Sequence, residues 1–156
     1  MDTLISGLFK EGELAENFMS GKLPPLAGVI PHLTCEGAEQ AVEQYKAAFD
    51  AELLAQMVGD DGRIMHACIV VNGTAVYLHD AWPENGALDP NGRGGSSVTM
   101  HLMLDKPGDV DAWHDKAVAA GMVSRLVPED MFWGDRYAEV TDKCGHNWAF
   151  ASPLAQ

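Results

Sequence analysis

The chain has 156 residues, of which 47% are hydrophobic and 21% charged, a composition that excludes a disordered protein and predicts one buried core. Its 10 basic and 23 acidic residues give a net charge of −13, which disfavours binding to nucleic acid or to an anionic membrane surface. Three widely spaced cysteines do not suggest a disulfide framework, and neither a membrane span nor a signal peptide is recognisable, so we expect a cytoplasmic protein.

The first 28 residues are predicted to form an N-terminal arm. Apolar residues such as Leu4, Leu8 and Phe18 have a loose helical spacing, which glycines interrupt and Pro24-Pro25 ends. Such an arm either packs on its own domain or wraps a partner subunit.

The next segment is predicted to be a unit of one strand, one helix and three strands. Asn72-Gly73 joins the last two strands and is a strong hairpin signal. The predicted strands cover residues 29–35, 53–58, 65–71 and 74–79, and the helix covers 38–49.

A polar loop over residues 83–95 precedes a second series with the same order. Its helix is expected to begin at Asp109 as N-cap and to end at Gly121. The predicted strands cover residues 97–104, 123–127, 137–141 and 148–151.

His32 and His101 occupy equivalent places in the two series, 69 residues apart, which indicates a duplicated βαβββ module. A module of about 60 residues is too small to bury a good core alone. We therefore predict an α+β domain over residues 29–152, with modules at about 29–82 and 96–152. The two modules would form a curved mixed sheet with helices on its outer face.

Several motifs resemble the PhnB-like branch of the glyoxalase/bleomycin-resistance/extradiol-dioxygenase superfamily, also called vicinal oxygen chelate proteins. The resemblance rests on Pro31-His32-Leu33-Thr34, Tyr45-Lys46-Ala47-Ala48-Phe49, the run from Pro128 to Tyr137, and Asp142, Gly145-His146 and Trp148. It implies paired βαβββ modules and commonly a homodimer. Gln44, Asp50 and Lys143-Cys144 depart from the usual residues, which suggests a divergent member.

The resemblance also allows a test for the metal that many members bind. Three expected ligand positions hold Ile30, Thr99 and Ala149, so the usual metal site is predicted to be absent and no cofactor is expected. His32 lies two residues beyond Ile30 and His101 two residues beyond Thr99, so each histidine is on the same strand face as the expected ligand position. They could form a displaced metal site with His79 or Asp80, line a polar pocket, or transfer protons.

Candidate ligand-binding residues come from the strands that should line the cavity and from an aromatic loop. The guanidinium of Arg136 could bind a carboxylate or phosphate through two hydrogen bonds. Alternatively, Arg136 forms a salt bridge with Asp135 that only fixes the loop. Aromatic rings and a thioether would supply apolar contact. The full set is His32, Tyr77, His79, Trp82, His101, Met131, Phe132, Trp133 and Arg136.

The function predicted from sequence is metal-free binding of a small organic molecule in the cavity, by a homodimer. The alternative is a metal-dependent lyase, isomerase or dioxygenase that uses displaced histidine ligands. A third hypothesis is metal-free acid/base catalysis by the same histidines. The sequence does not assign a catalytic residue.

Overall fold

The computed structural model describes residue 26 and residues 28–155, and the N-terminal arm predicted for residues 1–28 lies almost wholly outside this part. The first module comprises β1 (His32–Cys35), α1 (Ala38–Phe49), β2 (Glu52–Val58), β3 (Ile64–Val71) and β4 (Thr74–Asp80). The short helix α2 (Pro90–Arg93) lies in the connection. The second module comprises β5 (Thr99–Met103), α3 (Pro107–Ala119), β6 (Val123–Asp130), β7 (Asp135–Thr141) and β8 (Asn147–Pro153).

The eight strands form two mixed four-stranded sheets of identical topology. Their orders are β1-β4-β3-β2 and β5-β8-β7-β6. In each sheet the first and last strands of the module pair in parallel, and the other neighbours are antiparallel. The predicted α+β class with two βαβββ modules is thereby confirmed, although the modules belong to separate hydrogen-bonded sheets.

The predicted hairpin between β3 and β4 is present. Asn72 and Gly73 both have positive φ, 48° and 77°, as a two-residue type I′ turn requires. Asp50, which stands where the family usually has glycine, ends α1 with a φ of 51°. Asparagine and aspartate tolerate this region better than other side chains, so the substitution is compatible with the turn.

The two helices cover one face of their sheets and pack against each other, so the modules share a core. Phe49 of α1 stacks on Trp113 of α3 and contacts Trp148 and Phe150 of β8. Trp148 and Phe150 are fully buried, which confirms their predicted place in the core. The opposite face of each sheet, away from the helices, is here called the open face.

Several predicted element boundaries differ from the structure, and two of them changed the role expected of a residue. Asp109 is not the N-cap of α3, because the helix begins two residues earlier at Pro107, whose missing N–H costs nothing at a helix start. The Asp109 carboxylate instead accepts a hydrogen bond from the backbone N–H of Lys106. The first strand begins at His32 rather than at residue 29, and Val29 is almost fully exposed.

Candidate ligand-binding site

A cavity of about 450 Å³ lies where the two modules meet, and we call it the seam cavity. Its walls come from residues 31–34, from residues 88–98 around α2, and from Met100 and His146. Leu33, Leu88, Pro90, Val98 and Met100 make most of the lining apolar, while His32, Thr34, Arg93, Ser96, Ser97 and His146 add polar groups. Ligand pockets in proteins have this size and this balance.

His146 closes one wall of the cavity by linking the two modules. Among the residues that the structure describes, β1 pairs with β4 alone, so its other edge presents backbone groups to the cavity. The Nε2–H of His146 donates to the carbonyl oxygen of Thr34 at 2.8 Å. His146 is buried, and the bond satisfies a polar group that would otherwise lack a partner at the module boundary.

The turn that carries His146 is built around the buried carboxylate of Asp142. Oδ1 accepts the backbone N–H groups of Cys144 and His146, at 2.9 and 3.0 Å. Oδ2 accepts Tyr45 Oη at 2.5 Å and Trp148 Nε1 at 2.9 Å. A carboxylate with four donors is well compensated for its burial, so the turn and the position of His146 are fixed.

The segment around α2 forms the opposite wall and is fastened to both modules. Asp89 caps α2 through Gly92 N–H and accepts the N–H of Glu36. Asn91 donates to the carbonyls of Lys143 and Cys144 from its side chain and backbone. Gly145 is required at this contact, because an added Cβ would lie 2.5 Å from Asn91 Oδ1.

Beside the cavity, four side chains on the open face of the first sheet form what we call the imidazole cluster: His32, His66, Tyr77 and His79. The ring centroid of His32 lies 5.6 Å from His66, 5.8 Å from Tyr77 and 4.9 Å from His79. His66 and Tyr77 are 4.7 Å apart. The cross-strand registers His32↔Tyr77 and Thr34↔His79 bring these residues together. His32 itself lines the seam cavity. His79 lies beside Thr34, which also lines it.

Two imidazoles of this cluster, those of His32 and His66, favour the neutral form. Burial, followed by the nearby His79 and His66, lowers the pKa of His32. Burial and His79 lower the pKa of His66 as well. His79 Nδ1 lies 2.7 Å from the carbonyl oxygen of Asp80, so that nitrogen donates, and Nε2 lies 3.4 Å from Thr34 Oγ1. Neutral imidazoles can both donate and accept hydrogen bonds from a ligand.

Trp82, a candidate ligand-binding residue, adjoins the imidazole cluster and is not among the residues that line the seam cavity. The ring centroids of Trp82 and His79 are 5.8 Å apart. The guanidinium carbon of Arg63 lies over the Trp82 ring, 4.7 Å from its centroid. Arg63 is itself paired with Asp61 and Glu84. Stacking on a held guanidinium fixes the indole beside the imidazoles.

The remaining aromatic candidates form a second group, on the open face of the second sheet. Trp133 packs edge-on against Phe132 and Tyr137, with centroids 5.1 and 5.5 Å apart, and His101 lies 5.9 Å from Tyr137. Met131 closes the turn through its backbone N–H to Asp135. The structure thus divides the predicted set between the two sheets, with His32 and His101 in different groups.

Arg136 does not join either group. Its Nε and Nη2 donate to the two carboxylate oxygens of Asp111 on α3, at 2.6 and 2.7 Å, and its Nη1 donates to Asp130 at 2.8 Å. The guanidinium therefore faces the helix rather than the open face. The predicted bridge to Asp135 is replaced by these two ion pairs.

The expected metal-ligand positions do not fit a metal. Ala149, where the family places a carboxylate, is flanked by His101 on β5 and Glu139 on β7. His101 Nε2 contacts Met103 Sδ, and Glu139 accepts from Tyr137 Oη. Among residues 28–155, no three His, Cys, Asp or Glu side chains are grouped as a metal site would need.

Asp80 was wrongly considered as a third ligand. Its Oδ1 accepts the backbone N–H groups of Gly37 and Ala38 at 3.1 and 2.9 Å, and its Oδ2 accepts Ile64 N–H at 2.6 Å. The carboxylate thus fastens the start of α1 to β3, and both of its oxygens accept from backbone groups.

Sequence reasoning missed His66, Glu139 and His146 as site residues. His66 is separated from His32 by more than 30 residues and meets it only through strand pairing. The alternation of β3 and β7 signals which face His66 and Glu139 occupy, but it does not show what they face. His146 was visible in the Gly-His motif, and only the fold shows that it reaches Thr34.

Comparisons with known proteins agree with this architecture. A model of the Glyoxalase/Bleomycin resistance protein/Dioxygenase superfamily matches residues 28–150. The uncharacterized protein Mb0911c of Mycobacterium bovis is 38% identical over 129 residues, which are 81% of this chain and 83% of that protein.

Many solved structures share the fold, and two serve as examples. One is a PhnB protein of Bacillus cereus, named a putative 3-demethylubiquinone-9 3-methyltransferase, with a TM-score of 0.63, 18% identity, and 81% and 99% of the two chains covered. The other is the fosfomycin resistance protein FosX of Listeria monocytogenes, with a TM-score of 0.66, 10% identity, and 83% and 94% covered. In the described part of the chain, each helix is too short or too polar to cross a bilayer.

Proposed function

This chain belongs to the Glyoxalase/Bleomycin resistance protein/Dioxygenase superfamily, and we propose that it binds a small organic molecule in the seam cavity without a catalytic metal. The observation that carries the proposal is the cavity itself, about 450 Å³ with a largely apolar wall and His32 in its lining. An aromatic molecule of two fused rings fits this chemistry. Its apolar body would contact Leu33 and Met100, and its polar substituent would meet Thr34, Ser97 or Arg93.

The imidazole cluster supports this proposal from the adjoining face. The imidazoles of His32 and His66, whose pKa values are lowered, supply hydrogen bonds without adding a fixed charge to the wall. Trp82 extends the aromatic surface beyond His79. A ligand too long for the cavity would continue onto this surface.

The probe for the test is 2-naphthoate, added while thermal unfolding is followed. A ligand at a hundred times its dissociation constant stabilises the protein by about 2.7 kcal/mol, which is a readable shift in Tm. Val98→Trp, an exposed lining position, should block the cavity and remove the shift. Val58→Trp, at another exposed valine outside the lining, should keep it. Equal shifts in both variants would place the probe elsewhere and contradict the proposal.

Elemental analysis separates the proposal from the metal-dependent alternative. Protein purified without chelator should contain much less than one transition-metal ion per chain. About one ion per chain, lost together with stability in His32→Ala or His101→Ala, would instead support a metal-dependent lyase, isomerase or dioxygenase. The similarity to FosX, at 10% identity, shows a shared fold only. Because one fold can host several functions, it does not favour either metal-free binding or metal-dependent catalysis.

We also propose that the protein is a cytoplasmic homodimer. The open face of the second sheet exposes a run of large apolar side chains, namely Met103, Val123, Leu126, Phe132 and Trp133. Exposed apolar patches of this kind commonly mark protein interfaces, and a second copy would cover this one. Cys35, Cys68 and Cys144 are free and buried, as is usual in a reducing compartment.

A further inference from the structure

On the side of β6 that faces α3, three side chains are aligned as in a nucleophilic site. Nε2 of His114 lies 2.7 Å from Oγ of Ser124, and Nδ1 of His114 lies 3.2 Å from Oδ1 of Asp115. His114 is buried on α3, whereas Ser124 is exposed on β6. A reagent can therefore reach the hydroxyl, while the imidazole behind it is shielded from water.

The hydrogen bonds fix which atom carries the proton. A carboxylate only accepts, so the Nδ1 of His114 that faces Asp115 is the protonated nitrogen. In the neutral imidazole Nε2 then keeps its lone pair, and the hydroxyl of Ser124 donates to it. A serine that donates to an imidazole held by a third group has the geometry of an activated nucleophile.

The strand geometry at Ser124 supplies a second and independent feature. Ser124 pairs with Val140 of β7 and Leu126 pairs with the adjacent Glu139, so Arg125 is an extra residue without a β7 partner. A β-bulge leaves the backbone groups of its extra residue out of the ladder. The N–H of Arg125 directly follows the serine, which is the place from which a backbone donor stabilises an oxyanion in serine hydrolases.

We propose that Ser124 is a nucleophile, activated by His114, that accepts a small acyl group from an activated ester. In this step the Ser124 Oγ forms a bond to the carbonyl carbon of the donor, and the bond from that carbon to the leaving oxygen breaks. The hydroxyl proton moves to Nε2 of His114 and from there to the leaving oxygen or to water. The product is an acetyl ester on Ser124 when the donor is an acetate ester.

This site is separate from the seam cavity and from the imidazole cluster. Ser124 shares a face of the second sheet with Val140, which is buried under α3, whereas Tyr137 and Glu139 lie on the open face. Neither Ser124 nor His114 lines the seam cavity. Loss of acylation would consequently leave the proposed binding of 2-naphthoate untouched.

The experiment treats the full chain with 4-nitrophenyl acetate and follows both 4-nitrophenolate release and the mass of the protein. The expected result is one acetyl group, mapped by peptide mass spectrometry to the segment that contains Ser124. Ser124→Ala removes the acceptor oxygen, so this segment should stay unlabelled and the release of 4-nitrophenolate should slow about a hundredfold, the scale of catalysis by a positioned acid/base group. Asp115→Asn should slow it without abolishing it.

The control is Thr74→Ala, which removes another exposed hydroxyl at the end of a strand and should leave the rate unchanged. Circular dichroism of each variant confirms that it is folded. An unlabelled Ser124 in the wild-type protein, or equal labelling of Ser124→Ala, would show that the serine only satisfies a buried histidine. Either outcome overturns the proposal.

Discussion

The phenol of Tyr45 donates a 2.5 Å hydrogen bond to Oδ2 of Asp142, and this bond joins the helix of the first module to the last turn of the second. Burial and the neighbouring Asp142 charge raise the pKa of Tyr45 well above its usual value, so the phenol remains a donor. The same carboxylate organises the turn that holds His146 against Thr34. Fold stability and the shape of the seam cavity thus depend on one buried acid.

Tyr45→Phe should destabilise the protein by about 1.5–3 kcal/mol, because a buried carboxylate loses one of its donors. The loss would appear as a lower urea midpoint with an unchanged slope. Tyr77→Phe is the matched control, since that ring is half-buried on an open face, and it should change stability by less than about 0.5 kcal/mol. Similar midpoints for both variants would contradict the role assigned to Asp142.

A second prediction concerns the dependence of stability on pH. His32 and His66 have pKa values below the ordinary 6.5 in the folded chain, so the unfolded chain binds more protons near that pH. Their contribution to stability is therefore complete above pH 6.5 and is lost as the pH falls below it. The urea midpoint of unfolding should decrease as the pH is lowered from about 7.5 to about 5.5, partly for this reason.

The double variant His32→Gln/His66→Gln isolates this contribution, because other groups titrate over the same range. Its midpoint should fall less than that of the wild-type protein, while Tyr77→Phe should retain the full decrease. A decrease of equal size in the double variant would show that the two histidines are as readily protonated in the folded chain as in the unfolded one.

The duplicated architecture was predictable from local signals. Asn72-Gly73 specifies its own turn, Gly121 ends α3 with a positive φ, and the α1 limits were predicted to the residue because its apolar spacing is regular. The helix-facing position of Trp148 and Phe150 followed from strand alternation. Each of these inferences depends on neighbours in sequence.

The site was harder to predict, because its geometry depends on distant partners. Arg136 is next to Asp135 in sequence, yet Asp111 on α3 presents both carboxylate oxygens to its planar guanidinium. His66 reaches His32 across two intervening strand pairings. The module symmetry placed His32 and His101 on equivalent strands, but equivalence by a pseudo-twofold axis does not put two side chains in contact.

The proposed homodimer leads to a third prediction. Phe132 is 97% exposed and Trp133 is 51% exposed at the turn between β6 and β7. Phe132→Glu places a charge in the patch that a second copy would cover, and burial of an unpaired charge is costly. Sedimentation velocity should show the wild-type protein as a dimer and this variant shifted towards monomer.

The matched control for that experiment is Val118→Glu, which adds the same charge to an exposed apolar position on α3. This variant should remain a dimer. A monomeric wild-type protein, or an equal shift in both variants, would show that the open face of the second sheet is not the interface.

A last prediction separates the structural role of Arg136 from a role in binding. The two carboxylate oxygens of Asp111 receive parallel N–H donors from Arg136, which lowers the pKa of Asp111. Lysine cannot reproduce this fork, so Arg136→Lys should lower the urea midpoint. Arg93→Lys, which changes an exposed arginine, should leave stability nearly unchanged.

The affinity of Arg136→Lys for 2-naphthoate should equal that of the wild-type protein, because the guanidinium of Arg136 faces α3 rather than the cavity. Weaker binding with unchanged stability would instead assign Arg136 to the ligand.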